Sequence, residues 1–279
     1  MRSDRLLFGT AGIPNSTVKK NNPVEGVKQI HALGLDCMQL EFAHGVRMKE
    51  EVSSSLRKIS YELGIPLTSH GPYYINLNAR EQDKIDSSVE RIIQTAKISD
   101  LCGAESMTFH AAFYMKDSPY DVFDLVEKSM SVIEERLSRL DIQIELRPEL
   151  TGKTSQFGSL DELISLTKSV SSCRPCMDFS HLFARTNAYN NFQQFCEVLD
   201  RLKLELGDRS LQNMHIHLSG ISSNSKGDLK HLNLNQSKFN WKELMQALKS
   251  YNCRGYIICG SPNLEVDAKM MKDYYMSLQ

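Results

Sequence analysis

Histidine and acidic residues recur at the carboxyl ends of short apolar runs along the chain. In chain order these residues are His70, His110, Glu145, Asp178 and His217. His181 and His231 follow two of the runs closely. Imidazole combined with carboxylate is the ligand chemistry of zinc, iron or manganese rather than of calcium or magnesium. The set offers more ligands than one tetrahedral zinc ion uses, so the sequence predicts a site for several ions, with Glu145 bridging two of them.

Aromatic and basic residues follow several of the same runs and predict a rim around this site. They are Arg47, Tyr73, Tyr74, Arg147 and Arg185. Exposed aromatic rings beside arginine suit a ligand with phosphate groups and a base or sugar on which to stack. For any single residue, a solvated loop charge or a partly buried tyrosine is an equally good interpretation.

His215 lies two residues before the predicted ligand His217. We expect it to face the other side of its strand, between the strands and the helices, as a structural or supporting group. Single histidines are usually hydrogen-bonded structural residues, and we interpret His31 and His44 in this way.

Strand-like runs and amphipathic helical stretches alternate eight times. The predicted strands are 6–9, 37–41, 66–70, 106–110, 142–146, 175–178, 214–218 and 256–259. The predicted helices are 24–33, 49–63, 83–101, 119–137, 159–169, 191–206, 241–250 and 264–278. Eight such units predict an α/β fold of the (β/α)₈ TIM-barrel type, with residues 1–279 as one domain. The carboxyl ends of barrel strands meet at one mouth, where the predicted ligands would converge.

Composition and charge exclude several classes of protein. Apolar residues make up 41% of the chain and charged residues 24%, which excludes disordered, collagen-like and coiled-coil chains. The net charge of −1 argues against binding nucleic acid by bulk basicity, although a local basic rim stays compatible with it. No apolar run of about 18 residues and no signal-peptide core is present, so we expect no membrane association. Seven cysteines without framework spacing favour a reducing cytoplasm.

Five segments, taken together and in order, resemble the endonuclease IV family, and most closely its archaeal-type branch. They are residues 69–77, 108–110, 144–149, 178–181 and 215–220. That family consists of xylose isomerase-like TIM barrels. The resemblance implies a zinc-dependent DNA repair enzyme that hydrolyses the phosphodiester 5′ to an abasic site in double-stranded DNA. It implies up to three zinc ions, with manganese as an alternative metal, and no obligate protein partner.

The resemblance also divides the ligands among the ions. His70, His110 and Glu145 match the ligands of one ion, and Glu145, Asp178 and His217 match those of a second. His181, His231 and, one residue out of register, Asp228 match the third set. Glu145 would also be the catalytic residue that positions the nucleophile. Tyr73 and Tyr74 match the loop that enters the duplex, with the rim arginines as further DNA contacts.

One departure from the family pattern leaves two alternatives open. The family has a glutamate ligand of the second ion at the end of the eighth strand, where this chain has Gly260. Glycine has no side chain to coordinate a metal, so fewer than three ions are a consistent outcome. The first alternative is a sugar or sugar-phosphate isomerase or epimerase on the same barrel, because the fold alone does not decide function. The second is a degenerate member that binds without turnover.

Overall fold

Eight parallel strands form a barrel in the computed structural model, which describes residues 4–279. The strands in chain order are β1 Leu6–Ala11, β2 Cys37–Glu41, β3 Leu67–His70, β4 Ala104–Phe109, β5 Glu145–Pro148, β6 Cys176–Asp178, β7 Met214–Leu218, β8 Gly220–Asn224, β9 Gly227–Leu232 and β10 Gly255–Cys259. The barrel order is β5-β4-β3-β2-β1-β10-β7-β6, while β8 and β9 form a separate antiparallel hairpin. Isolated parallel bridges, Leu146 to Cys173 and Glu149 to Cys176, join β5 to the β6 segment. The predicted TIM barrel is therefore confirmed.

Helices between the strands surround the barrel. They are α1 Pro23–Ala32, α2 Glu50–Leu63, α3 Gln82–Cys102, α4 Pro119–Arg139, α5 Leu160–Ser169, α6 Phe179–Thr186, α7 Phe192–Leu206, α8 Trp241–Ser250 and α9 Glu265–Ser277. Local chemistry sets their ends: the Ser159 hydroxyl and the Glu162 carboxylate form a capping box at the start of α5, and Gly64 takes a left-handed φ of 63° after α2. No helix within residues 4–279 combines the length and apolar character needed to cross a bilayer.

Apolar side chains of strands and helices interlock in one large cluster. Phe8 and Leu67 on strands, and Ile30, Leu56 and Ile92 on helices, are all fully buried in it. Each such side chain stabilises the fold by about 1.5–3 kcal/mol relative to exposure. This packing fixes the strand ends that carry the polar site. The single domain over residues 1–279 stays a prediction. Residues 1–3 lie outside the described part of the chain.

Three elements differ from the predicted pattern. The fifth strand spans Glu145–Pro148 instead of 142–146, because the Ile142 amide still donates to the Leu137 carbonyl at the end of α4. The short helix α6 is absent from the predicted pattern. It begins directly after β6, where the Asp178 carboxylate accepts a hydrogen bond from the His181 amide at 2.8 Å. The β8–β9 hairpin after β7 is a further element that the pattern lacks.

Candidate metal centre

The buried carboxylate of Glu149 lies at the centre of the barrel mouth. Its Oε2 is 3.2 Å from His70 Nε2 and 3.2 Å from His217 Nδ1, while its Oε1 is 3.3 Å from His181 Nδ1 and 3.6 Å from His110 Nε2. Glu149 directly follows β5, and its side chain is 3% exposed. Three strand ends, those of β3, β4 and β7, and the first turn of α6 therefore direct imidazoles at one carboxylate.

Two groups of potential metal ligands share Glu149. One comprises His70, His110 and Glu149, and the other comprises Glu149, Asp178 and His217, with the ligand atoms of each group within 4.8 Å of one another. This is the arrangement predicted for two ions that share a bridging carboxylate. The bridging position is taken by Glu149 instead of Glu145.

The hydrogen bonds of His70 show why this site fits a cation. His70 Nδ1 is 2.6 Å from the Gly71 carbonyl oxygen, which can only accept, so Nδ1 carries the ring proton. In the neutral ring, the bare Nε2 lone pair then faces the Glu149 carboxylate at 3.2 Å. Two acceptors in contact repel each other unless a metal ion or a proton lies between them, and a buried charge requires such compensation.

Electrostatics at the site favour positive charge. Burial alone would raise the pKa of the Glu149 carboxyl, but the charges of His217 and His110 and hydrogen bonds with the imidazoles hold that pKa well below its usual range. Burial opposes the charged form of His181, yet Asp178 and Glu149 raise its pKa to about 9. A bound cation supplies the same compensation without adding several protons to one buried cluster.

His181 and His231 form a second close contact at the mouth. Their Nε2 atoms are 3.4 Å apart, and the Nδ1 of each ring lies 3.1 Å from a carbonyl oxygen, that of Leu150 or that of Gly260. With both protons on Nδ1, the two bare Nε2 atoms face each other. Two nitrogen ligands of a tetrahedral zinc ion lie about 3.3–3.4 Å apart, given Zn–N distances of about 2.0–2.1 Å. The pair therefore fits a shared metal ion.

One cavity of about 470 Å³ joins these groups. It contains every predicted ligand except Glu145, namely His70, His110, Asp178, His181, His217, Asp228 and His231. Gly260 also lines this cavity, and a Cβ placed on it would lie 3.5 Å from His231 Nδ1. Gly260 is therefore at the mouth, as predicted, and leaves space where a longer side chain would reach the histidines.

Glu145 does not belong to this site. It begins β5, about 13 Å along the chain from Glu149 at about 3.3 Å per residue. Its carboxylate accepts hydrogen bonds from Arg147 Nη2 at 2.5 Å and from Asn213 Nδ2 at 2.9 Å. It lines a different cavity of about 800 Å³, together with Asn213 and Ile142. The structure thus contradicts the prediction of Glu145 as bridging ligand and catalytic residue, because the predicted strand begins three residues too early.

Two of the predicted DNA-contacting arginines are structural. Arg147 is 2% exposed, and its guanidinium donates to the carbonyls of Pro175 and Asn213 as well as to Glu145, so it is closed to any ligand. Arg185 Nη1 donates to the carbonyls of Thr151, Lys153 and Gln156, at 3.2, 2.7 and 3.0 Å. That guanidinium holds the loop after β5 in place instead of pointing into the mouth.

The remaining rim residues divide between the mouth and its surroundings. The Tyr73 ring lies 5.1 Å from the His70 ring and 5.9 Å from the His110 ring, with about half of the side chain exposed, so it forms a wall of the mouth. Burial raises its pKa. Tyr74 instead lies under the Arg91 guanidinium, 4.9 Å from its ring centre. Arg47 is exposed and lines an adjoining cavity of about 720 Å³.

His215 corrects another expectation. Residues two apart in a strand face the same side, so His215 points into the barrel with His217, and the two rings lie 5.1 Å apart. His215 is fully buried, and both of its ring nitrogens have partners, Gln39 Oε1 at 3.0 Å and Ser106 Oγ at 3.1 Å. It supports the site from inside the barrel, not from the helical layer.

Sequence reasoning missed Gln39 and Glu41 as residues of the mouth and did not give Glu149 its central position, although all three line the cavity. Glu149 lies within one of the segments that carry the family resemblance. Helix α4 ends at Arg139, two residues after the predicted helix. A later end of that helix would have moved the predicted fifth strand towards Glu149. Gln39 and Glu41 alternate in β2 in the way of two residues that face the barrel interior.

The fold and the cluster at its mouth place the protein among TIM barrels with a candidate metal centre of histidines and carboxylates. Comparison with known sequences specifies that class: the profile of the xylose isomerase-like TIM barrel family matches residues 27–274, and the chain belongs to this family. An uncharacterized protein of Methanocaldococcus jannaschii is 38% identical over 278 residues, covering 99% of each chain.

Endonucleases are among the more distant relatives. A probable endonuclease 4 of Aster yellows witches'-broom phytoplasma is 25% identical over 186 residues, covering 65% of this chain and 62% of that protein. Endonuclease IV from Thermus thermophilus has a similar fold, with a TM-score of 0.74, 20% identity, and coverage of 96% of this chain and 100% of that one. A D-tagatose 3-epimerase-like protein has a TM-score of 0.73 at 15% identity, with coverage of 96% of this chain and 97% of that one. The resemblance to the endonuclease IV family is thus confirmed, while these two structures show the fold alone.

Proposed function

We propose that this protein is a metal-dependent phosphodiesterase that hydrolyses the DNA backbone 5′ to abasic sites. One observation carries the proposal: two ligand groups share Glu149, and the His181–His231 pair adjoins them in the same open cavity. Adjacent metal positions suit in-line displacement at a phosphodiester. Distant relatives named endonuclease 4 support the same substrate class.

Zinc fits the donor set best, because the ligands are imidazoles and carboxylates in a partly closed cavity, and manganese is the alternative metal. His70 and His110 would hold one ion with Glu149. Asp178 and His217 would hold a second with the same carboxylate. His181, His231 and Asp228 would hold a third, with fewer ions if Gly260 weakens one position. The metal would supply Lewis-acid stabilisation of the phosphate and activation of water.

The chain's own groups would bind and orient the DNA. Lys153, in the loop after β5, and Lys226, in the turn between β8 and β9, are both exposed. The two segments meet beside the mouth, where the Thr154 amide donates to the Lys226 carbonyl at 3.2 Å. Their ammonium groups, with Arg47, would hold phosphates on either side of the cut. The half-exposed Tyr73 ring would offer a stacking surface next to His70 and His110. Glu149 would keep the imidazoles aligned around the reacting phosphate.

Incision of a labelled duplex with one abasic site tests the proposal. Purified protein supplied with zinc or manganese should cut once, 5′ to the site, and chelation should abolish the cut. His110→Ala should also abolish cutting while leaving the fold intact by circular dichroism. An intact duplex under all metal conditions would refute the proposal.

All seven cysteines are unpaired, which supports the cytoplasmic location that we also propose.

A sugar isomerase or epimerase is the second candidate. The 470 Å³ cavity has the size of a small-molecule site, and the similarity to the D-tagatose 3-epimerase-like structure nearly equals that to endonuclease IV. This candidate requires one ion, conversion of a free sugar or sugar phosphate, and no DNA cleavage. Zinc stoichiometry together with a ketose screen separates it from the first proposal.

A protein that binds without turnover is the third candidate, and Gly260 motivates it. The space beside Gly260 admits a Cβ at ordinary contact distance from His231. Under this candidate, Gly260→Glu should raise incision strongly from near zero. A wild-type protein that already cuts abasic DNA efficiently would exclude it.

A further inference from the structure

Gln39 is a polar residue at the centre of the barrel that takes no part in either group of potential ligands. It lies in β2 and is 1% exposed, yet its side chain has close polar contacts with three other residues and a weaker one, at 3.4 Å, with the Thr68 hydroxyl. Gln39 Oε1 is 2.9 Å from His217 Nε2 and 3.0 Å from His215 Nε2, and Gln39 Nε2 is 2.8 Å from Glu41 Oε1. A buried amide with three such contacts has a single orientation.

The carboxylate of Glu41 decides that orientation. An ionised carboxylate only accepts hydrogen bonds, so the amide nitrogen of Gln39 must point at Glu41 and the amide oxygen at the histidines. An amide oxygen has two lone pairs and no hydrogen. Both histidines must therefore carry a proton on Nε2, and each donates to Gln39.

The consequence for His217 is a fixed ligand atom. With its proton on Nε2, the ring presents a bare Nδ1, and this is the atom that lies 3.2 Å from Glu149 Oε2. Had the amide been reversed, Gln39 would donate to Nε2, and Nδ1 would carry a proton directed at the metal position. The orientation of Gln39 thus selects the tautomer in which His217 can coordinate a metal.

A buried chain of hydrogen bonds holds Gln39 from the other side. Because His215 Nε2 donates to Gln39, its Nδ1 accepts from the Ser106 hydroxyl at 3.1 Å, so both ring nitrogens are satisfied. Ser106 is on β4, His215 on β7 and Gln39 on β2, so the chain crosses the barrel interior. Closely packed, fully partnered groups of this kind leave few alternative rotamers.

We infer that Gln39 is a positioning residue of the metal centre, which holds His217 with Nδ1 directed at Glu149 and braces Glu41 at the rim. The inference rests on the metal centre in the proposed function, but not on the reaction carried out there. Outer groups that orient metal-ligating histidines typically contribute about 10–100-fold to metal affinity.

Zinc binding by three variants of the full-length protein tests this inference. Gln39→Leu removes both the acceptor and the donor, and it should weaken one zinc by about 10–100-fold in competition with a chelating dye. In Gln39→Glu, the new carboxyl group keeps an oxygen acceptor for both histidines and shares one proton with Glu41, because two ionised carboxylates 2.8 Å apart would repel, so zinc affinity should stay within about threefold. Thr68→Val is the matched control. Its hydroxyl reaches the same Gln39 oxygen only at 3.4 Å, so its loss should leave all zinc affinities unchanged.

Nitrogen-15 spectra of histidine-labelled, zinc-loaded wild type provide a readout that does not depend on the variants folding. His217 should show a protonated Nε2 and a zinc-bound Nδ1. A zinc-bound Nε2, or a Gln39→Leu protein that binds every zinc within twofold of wild type, would overturn the inference. Zinc binding that depends on Gln39 in a protein that leaves abasic DNA intact would refute only the proposed function. A wild type that binds no zinc would remove the metal centre and this inference together.

Discussion

The two ends of β5 carry two glutamates in opposite environments. Glu149, at the carboxyl end, is surrounded by imidazoles whose nitrogens lie within 3.2–3.6 Å of its oxygens. Glu145, at the amino end, lies between the Arg147 guanidinium and the Asn213 amide. The residues differ only in position, yet they are suited to different tasks.

The partners explain the difference. The Arg147 guanidinium and the Asn213 amide nitrogen can only donate, so Glu145 has its donors within the protein and needs no ligand. Neutral His70 carries its proton on Nδ1, towards the Gly71 carbonyl, and neutral His217 carries its proton on Nε2, towards Gln39, so both rings direct only a lone pair at Glu149. A carboxylate among such lone pairs requires a cation. This contrast supports the metal binding that we propose for the carboxyl end of the barrel, whereas the amino end carries a structural ion pair.

Exchanging each carboxylate for an amide is the strongest test of this contrast. Glu149→Gln should lower metal-dependent incision by more than about a thousandfold, because it removes the charge that both ligand groups share. It should also reduce the zinc that is retained after dialysis, measured by mass spectrometry. Glu145→Gln is the matched control, four residues away on the same segment, and should retain full zinc content. The opposite pattern would restore Glu145 as the ligand.

Metal removal should affect the two ends differently. A ligand present at 100 times its dissociation constant stabilises the folded state by about 2.7 kcal/mol per site. Chelation of the zinc-loaded wild type should therefore lower the melting temperature by several degrees, and readdition of zinc should restore it. Glu149→Gln should show little of this shift, whereas Glu145→Gln should show all of it. A chelation shift that is equal in both variants would contradict the assignment.

Arg147→Met should act at the amino end alone. It leaves the Glu145 carboxylate without its guanidinium and removes donors to the Pro175 and Asn213 carbonyls. The Glu145 side chain is 32% exposed and keeps the Asn213 amide as a donor, which moderates the cost of losing the guanidinium. We expect a loss of about 2–4 kcal/mol in the free energy of unfolding in urea, with zinc stoichiometry unchanged. Loss of zinc at full stability would show that the two ends are coupled.

The alternation of strands and helices is enough to predict the fold, because each element carries its own local signals. The capping box of Ser159 and Glu162 starts α5 where the sequence indicates, and Gly64 ends α2. The hairpin and α6 escape prediction for local reasons. The β8 and β9 strands pair only with each other, within what the pattern indicates is a loop, and α6 is capped by Asp178, a residue for which the sequence indicates only metal binding.

The site is predictable in type but not in every position. The histidines at strand ends converge, because parallel strands present their carboxyl ends at one mouth. The prediction puts Glu145 in the place of Glu149 because the alternation of Ile142, Ile144 and Leu146 resembles a strand. In the structure, Ile142 is still hydrogen-bonded to the end of α4. Gln39 could not be assigned from sequence, since its role depends on contacts across the barrel with His215 and His217.

The smallest expected effect concerns a second ion pair away from the metal centre. Asp36 immediately precedes β2 and accepts from Arg5 at 2.8 Å and from Lys272 at 2.7 Å. Burial would raise the pKa of Asp36, but these two cations and the Phe8 amide outweigh burial and lower that pKa below its ordinary value. A lowered folded-state pKa stabilises the protein above the unfolded-state value, and this stabilisation is lost as the pH falls through the folded-state pKa.

Asp36→Asn should therefore lower the free energy of unfolding by about 1–2 kcal/mol at pH 7. The gap to wild type should narrow as the pH falls below about 4, where the Asp36 carboxyl begins to protonate in the unfolded chain while it stays ionised in the folded protein. Urea titrations at a series of pH values measure this gap, and zinc content serves as the control, because the ion pairs of Asp36 lie outside the mouth cluster. A gap that stayed constant from about pH 7 to about pH 3 would show that hydrogen-bond geometry, not the charge of Asp36, holds this end of the barrel.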